Sequence, residues 1–287
     1  MAIECSTPGV DDLPGLSTIL AGWQRTGEPA QLHSGDVGWF WRFGPERTAN
    51  ALRVWRRDGQ VVAMGLLDEP EYLRLAIDPE LQGDAVLAEA LAAGSAEAVS
   101  PGEAFVDVPE GSPVREILLA LDGWELDEPW QPLVRDLTEP VEDSGLSIEV
   151  VTVETAAERT AVQRSAFDGS TFTDERWHAM AAGAPYGDAR CLLGRDGAGH
   201  AVAAVTVWAA GPGRPGILEP MGVHRDFRGV GYGQAITVAA AAALRELGAS
   251  EATVHTPSFN TGAVATYQSA GFTALPQMRA IRRLPTA

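Results

Sequence analysis

Glycine alternates with other residues in one short segment of the second half of the chain, and this spacing suits phosphate binding. The segment is Arg228-Gly229-Val230-Gly231-Tyr232-Gly233, and it lies between a predicted strand and a long predicted helix. The first backbone N–H groups of a helix have no partner inside it, and the helix dipole adds partial positive charge there. Glycines let a ligand approach that backbone, and Arg228 adds a charge-assisted contact. The segment therefore predicts a diphosphate site.

Two other interpretations of these glycines stay open at this point. A dinucleotide-binding loop of the Rossmann type has the spacing G-x-G-x-x-G, which glycines at 229, 231 and 233 do not match. An ordinary helix N-terminus with tight turns also uses glycine. A second pattern downstream bears on the choice, because Asn260-Thr261-Gly262-Ala263 leads through Tyr267 to Gly271-Phe272. Taken alone, Asn260 would be a plain helix N-cap.

The two patterns together, in this order and separated by one helix and one strand, resemble the GNAT superfamily of N-acyltransferases. The first resembles the loop that binds the pyrophosphate of acyl-CoA, and the second has the spacing N-x-x-A-x-x-x-Y-x-x-x-G-F of the other signature. The resemblance covers residues 146–284 directly and residues 1–137 only through an internal repeat. The chain is similar in architecture to the tandem members of the superfamily, of which mycothiol synthase is one.

The resemblance implies acetyl-CoA, or another acyl-CoA, as co-substrate and no metal. It implies that the strand ending at Met221, Gly222 and Val223 runs beside pantetheine, where a backbone N–H polarises the thioester carbonyl. It also places Asn260 near the co-substrate. The implied function is transfer of an acetyl or related acyl group to an amine of a small, cationic acceptor. A non-catalytic acyl-CoA-binding sensor or partner module is the alternative.

The resemblance assigns two side chains to proton transfer. Tyr267 stands where many members place a general acid, and its ordinary pKa near 10 keeps it protonated at neutral pH. Glu219 is the candidate general base, acting directly or through water. Each has a structural alternative: Tyr267 as a packing aromatic and Glu219 as a solvated carboxylate. His255 is a second candidate base, and Trp208 lines an acceptor pocket or simply packs.

A small set of predicted elements must position these residues. The strand Gly216–Val223 carries Glu219 to the glycine segment, and the helix Gly231–Leu247 follows and ends at Gly248. The strand Ala252–Thr256 and the helix Asn260–Ala270 then carry the second pattern.

The same order of elements occurs earlier in the chain at an offset near 147 residues. Ile77 matches Val223 at 146, and Gly123-Trp124 matches Gly271-Phe272 at 148. Such a constant offset indicates two copies of one fold. We therefore predict an α/β protein of two tandem domains, each a mixed central sheet flanked by helices. The boundaries are 1–137 for a degenerate domain, 138–147 for a linker and 148–287 for the acyl-CoA-binding catalytic domain.

The first copy has lost the glycine pattern. Gln82 stands for Arg228, and Asp84 stands for Val230, which places negative charge where a diphosphate would lie. We therefore expect this copy not to bind CoA and to support or shape the active one. Its Trp39-Phe40-Trp41 cluster is expected to pack in the core or between the domains.

Charge is also divided unequally between the copies. The chain has a net charge of −18, with 21 arginines and no lysine, which excludes P-loop, pyridoxal-phosphate and protein-kinase sites. Residues 1–143 hold 9 arginines against 27 acidic residues, whereas residues 144–287 hold 12 of each. The acidic copy either attracts a cationic amine by steering or serves solubility.

Composition also sets expectations about partners and location. An isoelectric point near 4.6 argues against nucleic-acid binding. The two cysteines are far apart, and neither a signal peptide nor a membrane-spanning run is present, so we expect a cytoplasmic protein that binds no membrane. Two fused copies can imitate a dimer, so we expect a monomer rather than a homodimer.

Overall fold

A computed structural model describes residues 2–285 and shows two mixed seven-stranded sheets with helices packed on them. In spatial order, the first sheet contains β1 (Ile3–Ser6), β2 (Leu52–Arg57), β3 (Gln60–Glu69), β4 (Tyr72–Ile77), β5 (Ala104–Asp107), β14 (Ile281–Arg283) and β6 (Trp124–Leu126). The second contains β13 (Thr273–Ala274), β7 (Trp130–Asp136), β12 (Glu251–Pro257), β11 (Gly216–Val223), β10 (Ala201–Ala209), β9 (Ala189–Arg195) and β8 (Ser147–Val150).

Helices cover the sheets of both halves. They are α1 (Leu13–Trp23), α2 (Ser34–Phe40), α3 (Pro45–Ala51), α4 (Ala85–Ala98), α5 (Pro113–Leu119), α6 (Ala156–Ala166), α7 (Asp174–Ala181), α8 (Tyr232–Glu246) and α9 (Thr261–Ser269). The predicted fold class, two tandem α/β copies, is confirmed. The copies also agree in detail, since Asp78 and His224, 146 residues apart, both cap a short 3-10 turn with their side chains.

One strand of each half joins the sheet of the other half. β7, from the first half of the sequence, pairs with β12 along seven residues, from Glu251 opposite Asp136 to Pro257 opposite Trp130. β14, near the end of the chain, lies between β5 and β6. Each strand fills an edge that would otherwise expose unpaired backbone groups. The predicted boundaries at 137 and 148 describe the sequence repeat but do not separate the two sheets, and as domain limits they stay a prediction.

The parallel strands β11 and β12 separate soon after they meet. They pair only at Gly216 with Ala252 and Ile217 with Thr253. On the other side of β11, the register against β10 shifts, so that Glu219 and Pro220 lie opposite Thr206. Such a bulge bends a strand and redirects its side chains. The divergence opens a cleft at the carboxyl end of β11, next to the glycine segment.

Trp208 of β10 is the centre of the contact between the halves. It is 1% exposed, and α2 of the first half packs on its ring. A Cβ atom added to Gly35 would lie 2.5 Å from the Trp208 Cβ, and one added to Gly38 would lie 2.3 Å from Cζ3. The predicted packing role of the tryptophan cluster is also confirmed, since Trp39 stacks on Phe172 of the second half with ring centroids 5.3 Å apart.

Residues 2–285 contain no helix that is both long enough and apolar enough to cross a membrane.

Replacing Gly38 by alanine tests this contact. Alanine normally stabilises a helix relative to glycine, but here its methyl group would overlap the Trp208 ring, and overpacking costs about 1–3 kcal/mol. We expect Gly38→Ala to lower the free energy of unfolding in urea. The control is Gly15→Ala in α1, where an added Cβ meets nothing within 4 Å, and which should raise that free energy by about 0.5–1 kcal/mol. Equal stabilisation by both variants would disprove the close approach of α2 to Trp208.

Candidate active site

A cavity of about 1010 Å³ lies where β11 and β12 diverge, and both halves of the chain line it. The predicted site residues that line it are Glu219, Met221, Gly222, Val223, Arg228, Gly229, Gly231, Tyr232, Gly233, Asn260 and Tyr267. Val230 does not contribute to the lining, and it is 65% exposed. The structure thus brings together the glycine segment, the second pattern and both proposed proton-transfer groups.

The glycine segment forms the turn before α8. Gly229 and Gly231 have φ values of 80° and 94°, a left-handed conformation that glycine adopts without strain. Gly231 is the N-cap of α8, and no side chain accepts a hydrogen bond there. The first N–H groups of α8 are therefore open toward the cavity, as a diphosphate site requires.

The end of α6 holds this turn in place. Arg228 donates from Nη2 to the Ala166 carbonyl at 2.6 Å, and Arg225 donates from Nε to the Ser165 carbonyl at 3.1 Å. Gly222 on β11 allows the same close approach, because an added Cβ would lie 2.6 Å from the Ala166 Cβ. Gly222 therefore has a packing reason beyond its place in the cavity wall.

In the corresponding turn of the first half, a carboxylate of the chain itself binds the N–H groups at the start of the helix. Asp84 is the N-cap of α4, and its Oδ1 accepts the Leu87 N–H at 2.9 Å. Its Oδ2 contacts Arg57 Nη1 at 2.6 Å, and this hydrogen bond lowers the pKa of Asp84 to about 2. The negative charge that a phosphate would bring is already present, which supports the expectation that this half does not bind CoA.

Tyr267 and Asn260 occupy one wall of the cavity. The Tyr267 side chain is 7% exposed, and its hydroxyl makes no hydrogen bond to any of residues 2–285. Burial raises its pKa to about 12, so it stays protonated at neutral pH. Asn260 is the N-cap of α9, since its Oδ1 accepts the Ala263 N–H at 3.2 Å. The capping role of Asn260 is thus present alongside its place at the cavity.

Glu219 lies at the bulge of β11, and both its backbone and its side chain are held. Its carbonyl accepts the Trp208 indole N–H at 2.8 Å. Of the two alternatives for Trp208, the structure therefore supports packing, and Trp208 is not part of the cavity lining. The Glu219 carboxyl hydrogen-bonds with the carboxylate of Asp36, which lies on α2 of the first half. Of the two alternatives for Glu219, the structure does not support a solvated carboxylate, because the residue is half-buried in the cavity wall and contacts the first half.

Asp36 connects Glu219 to a cation. Its Oδ1 contacts Arg74 Nη1 at 2.8 Å, and its Oδ2 accepts the His33 N–H at 2.6 Å. Arg74 also contacts Asp68, at 3.1 Å through Nη2. Burial opposes ionisation of Asp36, but Arg74 and these hydrogen bonds outweigh it and lower the pKa of Asp36. Burial, followed by the nearby charge of Asp36, raises the pKa of Glu219 well above the usual range.

The first half contributes further cavity residues that sequence reasoning did not single out. They are Ala30, Gln31, His33, Asp36, Tyr72, Arg74, Asp107, Trp130 and Pro132. The Asp107 side chain has no hydrogen-bond partner within residues 2–285, and burial raises its pKa to about 7. The unequal division of charge between the halves was the sequence feature that could have indicated these residues, because acidic residues of the first half do line the cavity. No sequence pattern distinguished these acids from the others.

The histidines differ in their surroundings. His255 lines the cavity, and its Nε2 is buried with no partner among the described residues. Burial lowers its pKa to about 4, so it is neutral at pH 7 and a weak base. His224 caps the 3-10 turn before the glycine segment, where its Nδ1 accepts the Asp226 N–H at 3.3 Å. Within residues 2–285, no group of three or more His, Cys, Asp or Glu side chains is arranged to hold a metal ion.

Comparison with known proteins agrees with this geometry. The model of the acetyltransferase (GNAT) family matches residues 156–272. A GCN5-related N-acetyltransferase from Sphaerobacter thermophilus has 19% identity and a TM-score of 0.58, and the match covers 98% of this chain and 95% of that one. A tandem GNAT protein from the clavulanic acid biosynthesis pathway has 18% identity, a TM-score of 0.58 and full coverage of both chains.

A GNAT-family acetyltransferase from Colwellia psychrerythraea has 16% identity and the same TM-score of 0.58, again over the full length of both chains. No curated protein matches this chain. At these identities the solved structures show the fold alone, and the family match comes from the second half. The second half of this chain therefore matches the acetyltransferase (GNAT) family model, and the whole chain has the fold of a solved tandem GNAT protein.

Proposed function

We propose that this protein transfers an acetyl or related acyl group from acyl-CoA to an amine of a small, cationic acceptor. One observation carries the proposal: a single cavity contains the open N-terminus of α8 and the two proton-transfer candidates, Glu219 and Tyr267. A protein that only sensed acyl-CoA would need the first feature but not the second. Cytoplasmic location and a monomeric state stay predictions.

The residues present fit an acyl-CoA. The N–H groups at the start of α8, with Arg228 beside them, would hold the diphosphate. The backbone of Met221–Val223 has no partner strand on the β12 side, because β11 and β12 pair only at their beginnings. Its free groups can therefore bind an extended pantetheine and polarise the acyl carbonyl. The co-substrate supplies the acyl group as a thioester.

Two protons are transferred in this reaction, and a different residue transfers each of them. As the acceptor nitrogen forms its bond to the acyl carbon, Glu219 accepts a proton from that nitrogen, directly or through water. As the carbon–sulfur bond breaks, Tyr267 donates its hydroxyl proton to the leaving sulfur. Glu219 is a better base than His255, because a raised pKa strengthens a base whereas the pKa of His255 is lowered to about 4.

The charge of the cavity favours a cationic acceptor. Asp36, Asp107 and Glu219 line the cavity beside Arg74, which is already paired with Asp36 and Asp68. Two further arginines, Arg228 and Arg279, also line the cavity. Buried carboxylates without a partner are unstable, so a protonated amine would stabilise this wall. Asp107 is the acid best placed to bind it, because no protein group within residues 2–285 bonds to its side chain.

Binding of acetyl-CoA tests the glycine loop. Aspartate at 231 would put both a strained left-handed residue and a negative charge at the start of α8. We expect Gly231→Asp to raise the Kd for acetyl-CoA at least 100-fold in calorimetry. The matched control is Gly83→Asp in the counterpart turn of the first half, which should leave both the Kd and a stoichiometry of one per chain unchanged. Failure of the unmodified protein to bind acetyl-CoA would disprove the proposed function.

Removal of the Tyr267 hydroxyl tests the general acid. General acid catalysis contributes about 10²–10⁴-fold, so Tyr267→Phe should lower kcat by that factor while acetyl-CoA affinity changes little. The assay measures thiol release with the best acceptor from a panel of monoamines, diamines, amino sugars and amino acids. The control is Tyr186→Phe, at a tyrosine that does not line the cavity, and kcat should stay unchanged in that variant. An unchanged kcat in Tyr267→Phe would remove the hydroxyl from the mechanism.

The role of Asp107 is tested by neutralising it. We expect Asp107→Asn to raise the KM of a cationic acceptor about 10-fold, with little change in the KM of acetyl-CoA, because only the amine loses a charge-assisted contact. A neutral amine of similar size should be unaffected. The preference of the unmodified protein for the cationic acceptor should grow as pH rises through about 7, where Asp107 ionises. Equal effects on the two acceptors would rule out an electrostatic role.

A further inference from the structure

The carboxyl groups of Asp36 and Glu219 meet across the boundary between the two halves, and no sequence motif announces this pair. Glu219 comes from β11 beside the co-substrate loop, whereas Asp36 comes from α2 of the half whose own loop is closed. Both line the cavity. Two carboxyl groups in hydrogen-bonding contact cannot both be ionised at low cost, so such a pair keeps a proton.

We propose that Asp36 is a positioning residue for Glu219, and that the two carboxyl groups act as one pair that shares a single proton. The first half thereby completes the proton-transfer site of the second half. The catalytic part of this proposal rests on the proposed function, but the pair itself does not.

Asp36 is held rigidly enough to position its neighbour. Its two carboxylate oxygens have fixed donors, the Arg74 guanidinium at 2.8 Å and the His33 N–H at 2.6 Å. The side chain of His33 in turn accepts the Gly35 N–H at 2.9 Å and contacts the Pro215 carbonyl at 3.2 Å, just before β11. Asp36 is 7% exposed, so water does not compete strongly for these contacts.

The same helix also fixes the backbone of Glu219. α2 packs on Trp208 through Gly35 and Gly38, and the Trp208 indole N–H donates to the Glu219 carbonyl at 2.8 Å. One element thus holds the main chain of Glu219 through Trp208 and its side chain through Asp36. A purely structural carboxylate at position 36 would not need to contact the group that faces the cavity.

The surrounding charges determine how the pair titrates. Burial lowers the pKa values of both His33 and His255, which favours the neutral form of both side chains. Arg74 favours the ionised pair, and Asp68 partly offsets it. The groups around the pair are His33 at the N-cap of α2, Arg42 after α2, Asp68 on β3, Arg74 on β4, Asp107 on β5 and His255 on β12.

The shared proton gives a balanced cycle. The pair starts with one proton and a charge of −1, and above the raised pKa of Glu219 it gives up that proton to solvent. Glu219 then accepts one proton from the acceptor nitrogen, and the pair returns to its singly protonated form. The proton later leaves to water, and water returns a proton to the Tyr267 oxygen, which has given its own to the leaving sulfur. Activity should therefore rise with pH through the pKa of Glu219, above the ordinary carboxyl range.

Direct titration of Glu219 in the full-length protein, without any ligand, tests the pair. Protein labelled with ¹³C at the glutamate side-chain carboxyl excludes the signals of Asp36 and Asp107, and Glu219→Gln assigns the resonance. We expect Asp36→Asn to move the Glu219 midpoint down by about one pH unit or more, because the neighbouring negative charge is gone. We expect Arg74→Gln to move it up, because the cation is gone.

Shifts of the Glu219 midpoint in opposite directions distinguish this proposal from damage to the fold. General damage would not lower the midpoint in Asp36→Asn and raise it in Arg74→Gln. The matched control is Asp84→Asn. Asp84, like Asp36, accepts a backbone N–H at a helix start in the first half and pairs with an arginine, but it does not line the cavity. The Glu219 midpoint should not move in that variant.

Kinetics then connect the pair to catalysis. With the best acceptor of the amine panel, the rising limb of kcat/KM against pH should move down in Asp36→Asn and up in Arg74→Gln, while the Kd for acetyl-CoA stays constant. An unmoved Glu219 midpoint in Asp36→Asn, or shifts of the same sign in both variants, overturns the proposal. If Asp36→Asn does not fold, the absence of an upward shift in Arg74→Gln overturns it instead. A correct titration without acyl transfer would disprove the proposed function and leave the pair intact.

Discussion

The exchange of one strand between the two sheets is the constraint on which the rest of the structure depends. β7 completes the sheet of the second half and β14 completes that of the first, so neither sheet has all its strands unless both halves are folded. The backbone hydrogen bonds of these strands fix the relative position of the halves, because a slip of one residue would turn every side chain to the wrong face. The cavity between the halves therefore has walls of fixed geometry.

Tight packing at Trp208 adds precision to this arrangement. Glycines at 35 and 38 bring the backbone of α2 against the indole ring, and the indole N–H holds the bulge at Glu219. A bulge in a strand that diverges from its neighbour leaves backbone groups free, and the helix that follows leaves its N–H groups free as well. The cleft and the glycine segment are adjacent because β11 leads through one short 3-10 turn into the start of α8.

The two halves differ in net charge and in the charged groups that they place at the cavity. The second half is neutral overall, and the positive N-terminal end of α8 lies at the cavity. In the acidic first half, Asp84 caps the corresponding helix, α4, and Asp36 and Asp107 line the cavity. Buried carboxyls need partners, and Arg74 serves two of them. The Asp84-capped counterpart of the glycine segment and the acidic cavity wall thus occur in the same copy.

Much of the fold was predictable from sequence because its determinants are local. The strand Gly216–Val223 matches residue for residue, and glycines such as Gly248 end helices where a positive φ is required. The tight turn at Gly229 and Gly231 and the helix cap at Asn260 were also predictable this way, since spacing along the chain decides them. The exchange of β7 and β14, the contact of Asp36 with Glu219 and the buried position of Trp208 were not. Each depends on residues about 115 to 183 positions apart meeting in space, and no local periodicity encodes which of many acids or edges will meet.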